Sequence, residues 1–201
     1  MLSNILPTGF ECGVLNGQIK PGDTVAIVGA GPIGLATLLT AQFYSPGEII
    51  MVDVDDNRLD VAMKFGSTRS INNADGKAIE KVMELTGNRG VDVAIEAIGI
   101  PASFDVCQGV VTAGGHIANI GVHGKPVELH MERLWDRNMT LTTRLVDTVT
   151  IPMLMKTVLS GKVQPAKLIT HRFPLDKVLE AYDTFGNAMK SHALKVIITN
   201  E

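Results

Sequence analysis

An α/β fold built on a doubly wound parallel sheet, with a short C-terminal αβ appendage, is predicted by three observations. Short apolar runs rich in Val and Ile, at residues 24–28, 49–52, 91–96 and 116–121, alternate with helical apolar patterns. Strands separated by helices need crossover connections, which favour a parallel sheet covered by helices. Glycine or proline closes the segments at Gly66, Gly87, Gly99, Pro101 and Gly114-Gly115. Finally, 201 residues that are 45% hydrophobic and 19% charged can bury a substantial core.

The elements follow in order. Residues 1–22 form a lead-in: a turn at residues 5–10 opens a helix to about Gly17, and Lys20-Pro21-Gly22-Asp23 is a turn. Residues 23–146 form the main domain. Its first unit is strand 24–28, a glycine turn, a helix carrying Ile33, Leu35, Leu38 and Leu39, and strand 49–52 ending at Asp53. A second helix spans 56–65, stopped by Gly66. A short strand covers 70–72, and an amphipathic helix with Ile79, Val82, Met83 and Leu85 covers 77–85. Strand 91–96, helix 102–111 and strand 116–121 come next, then a short helix at Leu134-Trp135 and a last strand at 139–145. Residues 147–201 form the appendage: helix 151–159, strand 167–173, a helix from Pro174 to about Phe185, and strand 193–199. This tail is too small to bury a core of its own and needs a surface to pack on.

The glycine turn carries the functional reading. Gly29-Ala30-Gly31-Pro32-Ile33-Gly34 sits between the first strand and first helix. Gly29 permits the tight turn, Gly31 allows a pyrophosphate to approach the backbone, and Gly34 lets the helix lie close to the sheet. Pro32 suits the first helical turn, whose amides and macrodipole favour phosphate. Asp53 ends the second strand nineteen positions after Gly34, where a carboxylate accepts from ribose hydroxyls. Strand, glycine turn, helix, strand and acid in this order are the arrangement of a Rossmann-type dinucleotide site. A tight turn without a ligand is the competing reading.

Composition excludes other classes. A formal net charge of −3, without basic runs, argues against nucleic acid or an anionic membrane as partner. Apolar stretches are interrupted short of a membrane span, and the first residues do not read as a signal peptide. Cys12 and Cys107, the two cysteines, lack C-x-x-C spacing, which fits a reducing, cytoplasmic location and buried thiols. His116, His123, His130, His171 and His192 show no ligand spacing and read as strand-edge or surface residues.

The chain resembles the C-terminal part of zinc-dependent medium-chain alcohol dehydrogenases. The resemblance is carried by Pro7-Thr8-Gly9-Phe10, Lys20-Pro21-Gly22-Asp23, Val28 through Gly34, Gly90-Val91-Asp92, Gly114-Gly115, Ile120-Gly121-Val122, Leu168 through Phe173 and Leu194 through Ile197. It implies an NAD-binding domain followed by a segment that, in relatives, returns to a GroES-like catalytic domain preceding this region. That domain carries the catalytic zinc, so zinc is implied for complete members and not expected in this chain. A zinc-ligand position of relatives falls on Asn4, a neutral and poor donor for zinc. The resemblance further places Arg58 beside the adenosine ribose, Ile33, Ile120 and Val122 near the nicotinamide, and Thr8 against its face. Lys195 would reach toward the pyrophosphate. Arg58 could equally be a solvated helix residue, and the aliphatic residues plain core.

Asp53, with Asp55 and Asp56 beside it, would repel a ribose 2′-phosphate, which favours NAD over NADP. The expectation is therefore the cofactor-binding part of an alcohol dehydrogenase that transfers hydride between a small alcohol or aldehyde and NAD. By itself the chain is expected to bind NAD without turnover, and a separate chain supplying the catalytic domain would complete it. A stand-alone NAD-binding module is the alternative, and a methyltransferase-like site a weaker third. Association into a homodimer or tetramer is expected through exposed apolar faces of the tail and the edge strand at 139–145.

Overall fold

The computed structural model describes residues 1–200. Six parallel strands form one sheet in the order β3-β2-β1-β4-β5-β6: β1 (Thr24–Val28), β2 (Glu48–Asp53), β3 (Arg69–Asn72), β4 (Val91–Glu96), β5 (Val111–Asn119) and β6 (Thr140–Thr143). The crossovers carry α2 (Pro32–Ala41), α3 (Asp56–Lys64), α4 (Ala78–Leu85), α5 (Pro101–Val110) and the short α6 (Met131–Leu134). Strand order reverses at β1, which pairs with both β2 and β4, so the carboxyl ends of β1 and β4 open a crevice.

Side-chain alternation along the strands divides the core into two layers. Val25, Ile27, Ile49, Met51, Val93 and Ile95 face one layer with Leu35 and Leu38 of α2. Ala26, Val28, Ile50, Val52, Ala94 and Ile117 face the other with Val82 of α4 and Phe104, Cys107 and Val110 of α5. Both faces are covered, which is why these strands read as continuous apolar runs.

Three local differences from the sequence expectation have physical causes. The lead-in helix begins as α1 (Ile5–Pro7) and continues over Thr8–Leu15 as a π-helix, a winding uncommon beyond a single turn. Strand β5 starts at Val111, earlier than expected, because the chain enters the ladder beside Val91 and shifts register before Val93. The strand ends at Asn119, leaving Ile120 and Val122 in the following loop.

The tail does pack on a surface. α7 (Ile151–Leu159) contributes the fully buried Leu154, and Val163, Leu168 and Leu194 join the same core layer as Ile5, Leu6 and Leu35. Strands β7 (Ile169–Pro174) and β8 (Lys195–Thr199) pair in parallel as a separate two-stranded sheet, connected by α8 (Val178–Gly186) and α9 (Ala188–Ser191). Leu175, Leu179, Tyr182 and Phe185 remain exposed on this unit. Its inner side is anchored and its outer side is bare.

Candidate functional site

The glycine turn is built by close approach. Gly29 adopts φ +113°, and its amide donates to the Val52 carbonyl at 2.8 Å. At Gly34 a Cβ would stand 1.7 Å from the Gly29 carbonyl oxygen, so α2 touches the turn backbone to backbone. A Cβ on Gly31 would meet nothing within 4 Å, which leaves the side of the turn facing the crevice open. Gly31 is also the N-cap of α2, with no side chain capping the helix and Pro32 in its first turn. The helix N-terminus thus presents uncapped amide dipole to the crevice, the geometry that favours an anionic group.

Asp53 is almost fully buried at the end of β2. One carboxylate oxygen accepts from the Ala30 amide at 2.6 Å; the other accepts from Val54 at 2.8 Å and Asp55 at 3.0 Å. The carboxylate therefore holds the glycine turn against β2. Asp55 caps α3, accepting from the Asn57 amide, and lies 3.7 Å from the Arg58 Nε. The Asp55 Oδ2 and Arg58 Nε are buried and without hydrogen-bond partners, so this pair is close but incompletely satisfied.

Beyond the turn lies a cavity of about 770 Å³ at the ends of β1, β4, β5 and β6. Thr8, Ile33, Ile120 and Val122 all line it, together with Asn4, Cys12, Asn119 and the segment Thr143, Arg144, Leu145 and Val146. Ile33 links the glycine turn to this cavity, while Asp53, bonded to Ala30, does not line it; residues from the lead-in helix form part of its wall. Lys195 is not among the lining residues. It borders a separate cavity of about 290 Å³ with Tyr182, Phe185 and Ile198 on the outer unit.

Residues 32–160, more than half of the chain, match the family model described as zinc-binding dehydrogenase. The chain belongs to that family. A zinc-dependent alcohol dehydrogenase 2 from Streptococcus pneumonia, in its apo form, superposes with TM-score 0.95 at 54% identity, covering 98% of this chain and 57% of that one. An alcohol dehydrogenase of Cupriavidus necator is 34% identical over 98% of this chain and 55% of its own length. An NADP-dependent isopropanol dehydrogenase of Thermoanaerobacter brockii is 32% identical, covering 98% of this chain and 58% of its own. The chain thus spans about half the length of the curated relatives it matches, and corresponds to the Rossmann-type part of zinc-binding dehydrogenases.

The residues present do not fit a zinc centre. Among the described residues, no group of three or more His, Cys, Asp and Glu could hold a metal. Asn4 is a neutral donor, and burial raises the pKa of the Cys12 thiol, disfavouring the thiolate that zinc prefers.

Two buried glutamates shape the cavity and escaped the sequence reading. Glu96, fully buried at the end of β4, accepts from Ile98 at 3.0 Å, Gly99 at 2.8 Å and the Ser103 hydroxyl at 2.5 Å. His123 lies 3.5 Å from its other oxygen, shares a 2.8 Å hydrogen bond with Asn119 and meets the Phe104 ring edge-on. His123, expected as a strand-edge or surface residue, is half-buried just beyond the end of β5, against Glu96 and Phe104. Glu11, fully buried on the π-helix, accepts from Asp147, Thr148 and Thr150 across the chain. A charge interrupting the apolar stretch Phe10-Glu11-Cys12 was the available signal for it.

Burial alone would raise the Glu11 carboxyl, but hydrogen bonds from Thr150, Asp147 and Thr148 outweigh it and hold the group below its ordinary range. A lowered folded pKa contributes stability that is complete above the unfolded value of about 4.3 and is lost as pH falls through the folded value. Glu11→Gln should therefore unfold at lower temperature than the native chain at neutral pH, with the difference shrinking as pH falls below the ordinary carboxylate range. Thermal unfolding across that range checks it; a difference independent of pH refutes the ionised role.

Proposed function

We propose that the chain is the cofactor-binding portion of an NAD-dependent, zinc-type alcohol dehydrogenase, and that it holds NAD in the crevice between the glycine turn and the cavity. The observation that carries this reading is a turn open at Gly31 and tied to the Asp53 carboxylate through Ala30, with Ile33 of the same turn lining the large cavity beside Thr8, Ile120 and Val122. In this reading, Gly29, Gly31, Pro32 and Gly34 shape the pyrophosphate site, Asp53 accepts from the adenosine ribose, and Arg58 flanks it. The aliphatic lining excludes water from the nicotinamide end, and Thr8 orients the ring. Bound there, NAD supplies the hydride acceptor. Lys195, which borders a different cavity, is the proposed pyrophosphate contact with least structural support.

The acid at Asp53, reinforced by Asp55, favours NAD. The 2′-phosphate of NADP would meet a carboxylate whose oxygens already face backbone amides rather than a cation. Isothermal titration with NAD, NADP and zinc salt tests the assignment. Tight binding of NAD, about tenfold or more over NADP, is expected; preference for NADP, as the name of the Thermoanaerobacter relative would suggest, overturns it. Alcohol oxidation is expected only when the zinc-carrying part of the enzyme is supplied, whether as further sequence of the same protein or a separate chain.

A second copy of this chain is the proposed partner at the β6 edge. β6 ends the sheet, and beside it Trp135 is 75% exposed, flanked by exposed Met131 and Leu129. An unpaired edge beside an apolar patch favours strand-to-strand association. Sedimentation should show a dimer or larger species that Trp135→Lys dissociates; a monomer at high concentration refutes the assignment. Among the described residues no helix is long and apolar enough to cross a membrane.

A further inference from the structure

Glu11 stands between two walls of the cavity that are remote in sequence. Its helix supplies Thr8 and Cys12 to one wall. Its carboxylate accepts from the Asp147 amide at 3.0 Å and the Thr148 amide at 3.1 Å through one oxygen. Through the other it accepts from the Thr150 amide at 2.9 Å and the Thr150 hydroxyl at 2.7 Å. The segment it grips follows directly on Thr143, Arg144, Leu145 and Val146, which also line the cavity. We propose that Glu11 is a positioning residue for the dinucleotide site: it clasps residues 147–150 and so sets the wall that closes on the nicotinamide end. The proposal rests on the dinucleotide reading above.

Three features argue for a clasp rather than incidental packing. All four groups around the carboxylate are donors, a surrounding that only an ionised acceptor with two free oxygens satisfies; such charge-assisted bonds are the stronger kind. Thr148, one of the gripped residues, has φ +62°. A β-branched residue in the left-handed region persists only where its surroundings over-determine it, and here Glu11 holds its amide. Asp147, also gripped through its amide, pairs by its side chain with Arg144, so the guanidinium bordering the cavity is placed through the same anchor. Glutamine at position 11 would turn an amino group toward donors while changing the volume little.

Glu11→Gln is the test, with hydrogen exchange followed peptide by peptide and NADH and ADP-ribose titrated against both proteins. ADP-ribose occupies the adenosine and pyrophosphate positions without a nicotinamide, so a loss caused by general destabilisation would weaken both ligands alike. Faster exchange confined to residues 143–150 is expected. NADH affinity should fall at least about tenfold, while ADP-ribose affinity changes by less than about twofold. Unchanged exchange in that segment, or equal losses for both ligands, overturns the proposal. Should Glu11→Gln fail to fold, Thr150→Val removes one of the four donors and should show the same split at smaller size; no split there also overturns it. If the native chain binds neither ligand, the dinucleotide reading falls, and the exchange pattern alone decides the clasp: localised loosening supports it and unaltered exchange refutes it.

Discussion

Gly34→Ala is expected to destabilise the chain by about 2 kcal/mol and to weaken NADH binding with it. Forcing a methyl into a well-packed interior costs about 3 kcal/mol at the upper end of the usual range. Here the added Cβ would lie 1.7 Å from the Gly29 carbonyl oxygen and 2.9 Å from its carbon, both backbone atoms that cannot rotate away. The helix gains about 1 kcal/mol in propensity from alanine, which offsets only part of the clash. α2 must lift, and with it the buried Leu35 and Leu38. Gly31→Ala is the control, since its Cβ enters open space; stability should stay within about 0.5 kcal/mol while NADH affinity falls, because the methyl occupies the proposed approach of the pyrophosphate. Urea unfolding midpoints and titrations on both variants separate the two effects. Equal midpoints for Gly34→Ala and the native chain would sink the close-packing argument.

Asp53→Ala is expected to lose about 2–3 kcal/mol of stability, the scale of removing a charged acceptor from buried donors. It leaves the amides of Ala30 and Asp55, both buried, without the partner they have at 2.6 Å and 3.0 Å. The glycine turn loses its tie to β2 at the same stroke, so NADH affinity should drop by more than about tenfold. Asp53→Asn keeps one oxygen acceptor and should fall between alanine and the native residue. Discrimination against NADPH should narrow in both variants, since the repelling charge is gone. Calorimetric titration with NADH and NADPH reads these effects; undiminished NADH affinity in Asp53→Ala would remove Asp53 from the site.

Much of the architecture was legible because it rests on local signals. Helix 56–65 was read as stopped by Gly66, and α3 spans Asp56–Lys64, with Asp55 capping it. Strand 91–96 corresponds to β4 without a residue's difference. The glycine turn was equally plain, since each glycine answers a constraint within a few residues of itself. Asp53 was read only as a ribose acceptor; its grip on Ala30 depends on two strands lying side by side. Lys195, placed by resemblance near the pyrophosphate, lies on β8 beside Tyr182 and Phe185, and β8 pairs with β7 rather than with the main sheet.

The sequence alone determined the order of strands and helices, the parallel sheet, the glycine turn with its acid, and the family. The first three follow from periodicity, turn chemistry and spacing, all short-range properties of the chain; the family rests on the resemblance of motifs such as Pro7-Thr8-Gly9-Phe10 and Lys20-Pro21-Gly22-Asp23. Only the tertiary structure decided how the tail anchors through Leu154, Leu168 and Leu194, and that His123 turns inward to Glu96. It also decided that Glu11 meets partners 136 to 139 residues away. A buried carboxylate finds its donors by the way distant segments pack, and no local pattern records that distance.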